Sequence, residues 1–328
     1  MTRQFLRRRK KLSYARYGYY FVLPFLVAFT LFQLLPLIQT FWFSLCDYYT
    51  DTMTNTQVGP VFSGLANFKA ILISRRGVWL DTSAVDSLVN TLIIWMMNFI
   101  PQILLALLLA VWFTDIRVRL RGQGAYKTLI FMPNIITAAS IALLFNSLFS
   151  YPNGPVNQVM VSLGILPEAF AFIDQKWSVR ILIAFINFWM WYGSTMIVLT
   201  AGIMGISPTL FEAASVDGAS SRHIFHSVTL PLLKPILLYT LVTSLSGGMQ
   251  MYDIPKLFTK YGNGDPNYCA RTVTMYIREL AFTGSFQMGR ASAVSVLLFA
   301  VTGVLAAIVF YMLRDRDAQP ERKVKPRG

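Results

Sequence analysis

The chain has 328 residues, 55% of them hydrophobic and only 13% charged, about half the charged share of a soluble domain. With a mean hydropathy of +0.52, that balance argues against a soluble multidomain enzyme, and it is too apolar for a disordered chain. A net charge of +14 accompanies two cysteines and two histidines, too few for a disulfide framework, a CxxC zinc site or most His-dependent catalysis.

The first 16 residues form a basic tail with Arg3, Arg7, Arg8, Arg9, Lys10, Lys11 and Arg16. The apolar run that follows exceeds the 7–15 residues of a signal-peptide core and carries no A-x-A site in the right place, so an uncleaved first helix is expected. Six stretches then reach the roughly 20 apolar residues that cross a bilayer. They lie at about 17–45, 88–113, 128–150, 181–203, 235–252 and 291–313, and none contains Asp, Glu, Lys or Arg. In the fourth, ten strong inserters from Ile181 to Ile203 supply roughly −3 to −6 kcal/mol before polar residues subtract some. Each span must be helical, because backbone amides in hydrocarbon pair within their own segment. Continuous apolar runs without a period of two exclude a closed barrel. Pro36, Pro101 and Pro133 are expected to kink the first three helices rather than end them.

Basic residues set the orientation. The tails and the loops after spans two and four hold 19 of the 29 lysines and arginines, giving that face a net +13 against +1 on the other. Both termini are therefore expected in the cytoplasm, with residues 314–328 as a second basic tail. The charge is a topology signal, which makes nucleic acid the weaker partner. Three outer segments, about 46–87, 151–180 and 253–290, are expected to be short helices and loops. They either dock an external partner or simply connect the spans.

Between spans four and five lies a distinctive cytoplasmic loop, about 207–231. Ser207-Pro208 is a helix start, with a capping hydroxyl and a proline at the first helical position. Leu210, Phe211, Ala213 and Ala214 form an apolar strip at helical spacing. Asp217-Gly218 breaks the helix, because glycine tolerates the left-handed backbone of a sharp turn. A second short helix with Ile224, Phe225 and Val228 on one side is expected to follow, making a rigid two-helix knob.

Glu212-Ala213-Ala214, Gly218 and Val228-Thr229-Leu230-Pro231 resemble the EAA loop of binding-protein-dependent ABC importer permeases. The spacing agrees throughout, and Val228 in place of Ile is the one departure. Asp217 and Ala219 extend the match to the DGA form frequent in carbohydrate permeases. Leu23-Pro24-Phe25, the Gly64-Leu65-Ala66-Asn67-Phe68 element and Gly289-Arg290-Ala291-Ser292-Ala293 are similar to the sugar-permease branch that includes maltose and glycerol-phosphate systems, on the side of its first permease. Tyr261 to Pro266 departs from the Gly-Gly-Pro turn of many members.

The resemblance implies an all-α type I importer fold with six transmembrane helices over 17–313 in the bacterial cytoplasmic membrane. It implies a second permease, two ATPase subunits, an extracytoplasmic solute-binding protein and a carbohydrate cargo. It also gives Glu212, Ala213, Ala214, Asp217 and Gly218 an ATPase-coupling role, in which Glu212 pairs with a basic residue of the ATPase. The chain has no Gly-Lys pair and hence no P-loop, so ATP and magnesium are expected on the partner ATPase.

A sugar needs hydroxyl partners and flat apolar faces. Span four offers Asn187, Trp189, Trp191, Tyr192, Ser194 and Thr195, while span five offers Ser244, Ser246, Gln250 and Tyr252 beside a flexible Gly247-Gly248. Such residues face either a cavity or another helix; Asn187, Tyr192 and Gln250 are the substrate-path candidates. Uncharged spans disfavour ion coupling. His223 and His226 read as exposed polar residues rather than metal ligands, and Cys46 and Cys269 as unrelated thiols. Ala201 and Gly205 give a small-residue packing spacing. The alternatives are the same architecture with another polar solute, an ATPase-independent carrier, or a membrane enzyme, the last without an apparent catalytic set.

Overall fold

The computed structural model describes residues 15–72, 82–115, 122–284 and 286–313. The basic tails beyond these limits, with Arg117, Arg119 and Arg121, lie outside the described residues. Helix α1 (Ala15–Phe29) passes through a π turn (Thr30–Leu34) into α2 (Leu35–Ser44). A hairpin of β1 (Cys46–Thr50) and β2 (Gln57–Phe62) and a short α3 (Ala66–Leu72) precede α4 (Thr82–Thr114). Then come α5 (Gln123–Phe131), α6 (Ala138–Leu148), α7 (Pro155–Ser162), α8 (Lys176–Met204), α9 (Pro208–Val216), α10 (Ser221–Ile224) and α11 (Leu230–Met249). The chain continues through α12 (Asp253–Phe258), α13 (Val273–Phe282) and α14 (Met288–Leu313).

Five helical runs among the described residues are long and apolar enough to cross a membrane: Tyr17–Ser44, Ser83–Thr114, Lys176–Met204, Ser221–Met249 and Met288–Met312. The protein is a multi-pass membrane protein. The third expected span is different: Gln123–Ile135 and Ala138–Leu148 meet at 88°, a break rather than a kink. Pro133 sits in a 3-10 turn (Met132–Ile135), Ile136 is extended, and Thr137 starts α6 by accepting the Ser140 N–H. A proline that removes a helical donor, followed within four residues by a good capping side chain, restarts the helix in a new direction.

Two other prolines are absorbed in another way. Pro36 and Pro231 each lie just past a π turn, where Leu35 N–H reaches the Thr30 carbonyl and Leu230 N–H the Phe225 carbonyl. The wider turn relieves the clash of the proline ring with the preceding carbonyls. Pro101 stays inside an unbroken α4. The Pro231 arrangement also corrects the expected knob: its second helix is no separate unit, because Ser221–Met249 runs as one 29-residue rod into the fifth span.

Helix α8 is the centre of the bundle. Half of its apolar window is buried, against none in Tyr17–Ser44. It packs chiefly on α4: Ile183, Ile186 and Met190 share one buried cluster with Ile94, and Met196 and Leu199 another with Ala106 and Ala110. Close approach is possible at Gly193, where a Cβ would lie 2.2 Å from the Ile130 carbonyl oxygen.

The first outer segment keeps one expected short helix, α3, but opens on an unexpected antiparallel hairpin that pairs Cys46 with Phe62 and Thr50 with Gln57. Tyr48, Tyr49, Val58 and Val61 are the strand formers that win there. Asn67, from the Gly64–Phe68 element, is buried and donates to the Ser44 and Cys46 carbonyls at 3.1 and 2.8 Å. Gly289 leaves room for the same strand, since a Cβ there would lie 2.3 Å from the Cys46 carbonyl. Cys46 and Cys269 are free and buried. Burial raises both thiols above the ordinary value, although Arg180 and Lys176 pull Cys269 back, so neither is an activated thiolate near neutral pH.

Candidate functional site: a coupling loop and a polar cavity

The loop after α8 begins with α9. Ser207 does not cap it through its side chain; its hydroxyl pairs with that of Thr209 at 2.8 Å. The helix end is more firmly built. Ala219 N–H reaches the Ala214 carbonyl at 2.9 Å, Gly218 N–H reaches that of Ser215 at 3.2 Å, and Gly218 has φ +74°. These two bonds with a left-handed glycine make a Schellman end. Ser220 then caps the next helix by accepting the His223 N–H at 3.3 Å.

The expected apolar strip divides between two faces. Phe211 and Ala214 turn toward the bundle, Phe211 against the core around Ile203 and Leu233. Leu210, Ala213 and Val216 recur every third residue on the outer side, where Val216 is 88% exposed. Glu212 and Asp217 are exposed, and Glu212 has no ion-pair partner among the described residues. The loop thus presents an apolar strip, one carboxylate and a fixed turn to whatever lies beyond the bundle. His223 and His226 are exposed and belong to no metal-binding group among the described residues.

A cavity of about 400 Å³ opens between α4, α8 and α11. Three helical stripes line it: Trp95, Asn98 and Gln102; Asn187, Trp191, Ser194 and Thr195; and Tyr239, Thr243, Ser244 and Gly247. Gln250, Tyr252 and Asp253 close its rim. Asn187 and Gln250 are therefore brought together, whereas Tyr192 is not in the lining and stacks on Phe188 at 5.5 Å. Helical spacing explains the difference, since 187, 191, 194, 195 and 198 share a face that 192 leaves. Asn187 donates to the Ile183 carbonyl at 2.8 Å and Gln102 to Thr195 Oγ1 at 2.8 Å. Asn98 is 6% exposed and has no hydrogen bond among the described residues, so its amide is available to the cavity.

Gly247-Gly248 is helical and not a break. Gly248 is instead a notch for the Trp95 ring, whose Cδ1 would lie 2.1 Å from an added Cβ, and Trp95 Nε1 donates to Ser244 Oγ at 3.2 Å. The α4 residues were missed in the sequence because amides in an apolar run show no facing direction until a partner helix is known.

At the end of α8 away from the coupling loop, a buried polar belt fastens the segment 253–273. Arg180 donates to the Cys269 carbonyl at 2.9 Å and to Asn90 Oδ1. Arg271 reaches Ser87 Oγ at 3.2 Å and Glu279 at 3.4 Å, with its guanidinium over the Tyr268 and Tyr276 rings at 4.4 and 4.9 Å. Both arginines are more than nine-tenths buried.

The profile of the family described as binding-protein-dependent transport system inner membrane component matches residues 77–318. The chain belongs to this family. Among similar members of these transport systems is the lactose transport system permease protein LacF of Rhizobium radiobacter, 30% identical over 91% of this chain and 94% of its own. Another is the trehalose/maltose transport system permease protein MalF of Thermococcus litoralis, 28% identical over 92% and 95%. A solved bacterial ABC transporter that imports the acidic polysaccharide alginate has the same fold, with a TM-score of 0.74 at 23% identity over 93% of this chain and 98% of the other.

Proposed function

We propose that the chain is the permease subunit of an ATP-driven importer for a carbohydrate in the bacterial cytoplasmic membrane. It takes its cargo from an extracytoplasmic solute-binding protein and works with a second permease and two ATPase subunits. The observation that carries this reading is the loop after α8: a family-typical Glu-Ala-Ala on an exposed helix, closed by a left-handed Gly218, with an outward apolar strip.

In this reading Leu210, Ala213 and Val216 seat in a groove of the ATPase. Glu212 pairs with a basic side chain there, and Ala213 permits close approach because its side chain is a single carbon, while Ala214, on the inner face, lets α9 lie close to the bundle. Gly218 and Asp217 set the angle at which Ser221–Met249 leaves the groove. ATP-driven closure of the ATPases draws the loops of the two permeases together and turns the cavity outward. There Asn187, Gln250, Asn98 and Gln102 offer amides to sugar hydroxyls, and Trp95 and Trp191 offer aromatic faces. Tyr192, off the lining, supports Phe188 instead.

The test is uptake of labelled disaccharides by cells carrying the whole transporter. Deleting the ATPase while the membrane potential stays intact should abolish uptake. Persisting uptake would show a self-sufficient carrier, and binding of an amino acid rather than sugars by the partner binding protein would show another cargo.

A further inference from the structure

The proposed sugar path carries a charge rule. We infer that the cavity admits uncharged solutes and rejects anions, and that Asp253 is a specificity-determining residue at its rim; this rests on the carbohydrate reading of the cavity.

Among the described residues, the lining holds no lysine or arginine, and Asp253 is its single charged side chain. Asp253 is exposed and forms no ion pair. The nearby Arg278 lies over the Tyr252 ring at 4.3 Å and is not part of the lining. The polar groups that do line it are uncharged: the amides of Asn98, Gln102, Asn187 and Gln250, and hydroxyls such as those of Ser194, Thr195, Thr243 and Ser244. Amides and hydroxyls both donate and accept, which suits the hydroxyls of a neutral sugar. A carboxylate or phosphate only accepts, and in a partly dry site it needs a guanidinium or ammonium partner.

Helix ends do not supply that partner. The cavity meets the carbonyl end of α11 at Gly247, Gly248 and Gln250, and the amide ends of α6 at Ala138 and of the short α12 at Asp253 and Ile254. These ends carry only partial charges, of opposite sign; the Ser140 N–H of α6 is already taken by Thr137, and Asp253 itself occupies the first turn of α12. Asp253 is the one full charge on the lining. The similar solved importer takes an acidic polysaccharide, so the fold alone does not dictate neutrality; this lining does.

The experiment uses the assembled transporter in nanodiscs with Thr243→Cys, and Gln250→Cys as a second reporter in case the first fails to assemble. Wild type, whose two cysteines are buried, is the control. The thiol is labelled with cationic and anionic methanethiosulfonates, and rates are normalised to the same reagents on glutathione. The expected cation-to-anion preference is roughly three- to tenfold, and Asp253→Asn should reduce it toward one. Lactose or maltose should protect the thiol, while lactobionate and maltobionate should not. A ratio near one in the parent, or equal protection by the acids, overturns the inference. Protection by no sugar, with the charge preference intact, would overturn the carbohydrate reading and leave the rejection of anions standing.

Discussion

Two residues of the loop after α8 separate chemistry from geometry. Glu212 is exposed and unpaired in the isolated chain, so Glu212→Ala should insert and fold normally. If it pairs with a desolvated cation in the assembly, its loss should weaken ATPase docking by about 2–5 kcal/mol. Copurification with the ATPase measures that, and undiminished transport with full coupling would remove the role. Gly218 differs: an added Cβ would meet nothing within 4 Å, but its φ is +74°. A β-branched residue resists that backbone, so Gly218→Val should bend the loop out of register and cost more transport than Glu212→Ala. An ATPase that stays bound but no longer responds to the loaded binding protein is the expected signature.

Helix packing makes its own demands. Gly193 lets α8 cross α5 in backbone contact, with the Ile130 carbonyl oxygen 2.2 Å from where a Cβ would sit. Gly193→Ala should force the helices apart and destabilise the complex by about 1–3 kcal/mol, seen as a lower melting temperature in detergent. An unchanged melting temperature would show that α5 gives way freely. The same elements show how far a sequence can be read. Apolar length located five runs well, because insertion depends on composition along one segment. It could not reveal the 88° turn before Ala138, since length says nothing of direction and the competition between Pro133 and Thr137 is local. The loop around Glu212 was legible, as caps and a glycine turn are decided within a few residues, although the pairing of Ser207 with Thr209 in place of a cap was not. The cavity was half legible: Asn187 and Gln250 lie on it, but Trp95, Asn98 and Gln102 acquire meaning only once α4 faces α8.

At the scale of the whole molecule, two ends of one bundle are held in different ways. Away from the coupling loop, Arg180 and Arg271 are buried in a belt of carbonyls, amides and rings, although in the sequence they count simply as outer-loop charge. Arg180→Met should leave the Asn90 oxygen and the Cys269 carbonyl without a donor, at about 1–3 kcal/mol for each buried group left unsatisfied. Faster hydrogen exchange across 261–273, with the spans unchanged, is the measurement. Equal protection in both proteins would show that the belt is not what fastens the segment. At the other end, the last part of the loop and the wall of the cavity are one 29-residue helix, Ser221–Met249. At 1.5 Å per residue such a rod is about 43 Å long, and a tilt of about 10° about one end sweeps the other through roughly 7 Å. A push at the Ser221 end would therefore reach Thr243 and Ser244 through the helix itself, with a stroke set by its length, its tilt and the point about which it pivots.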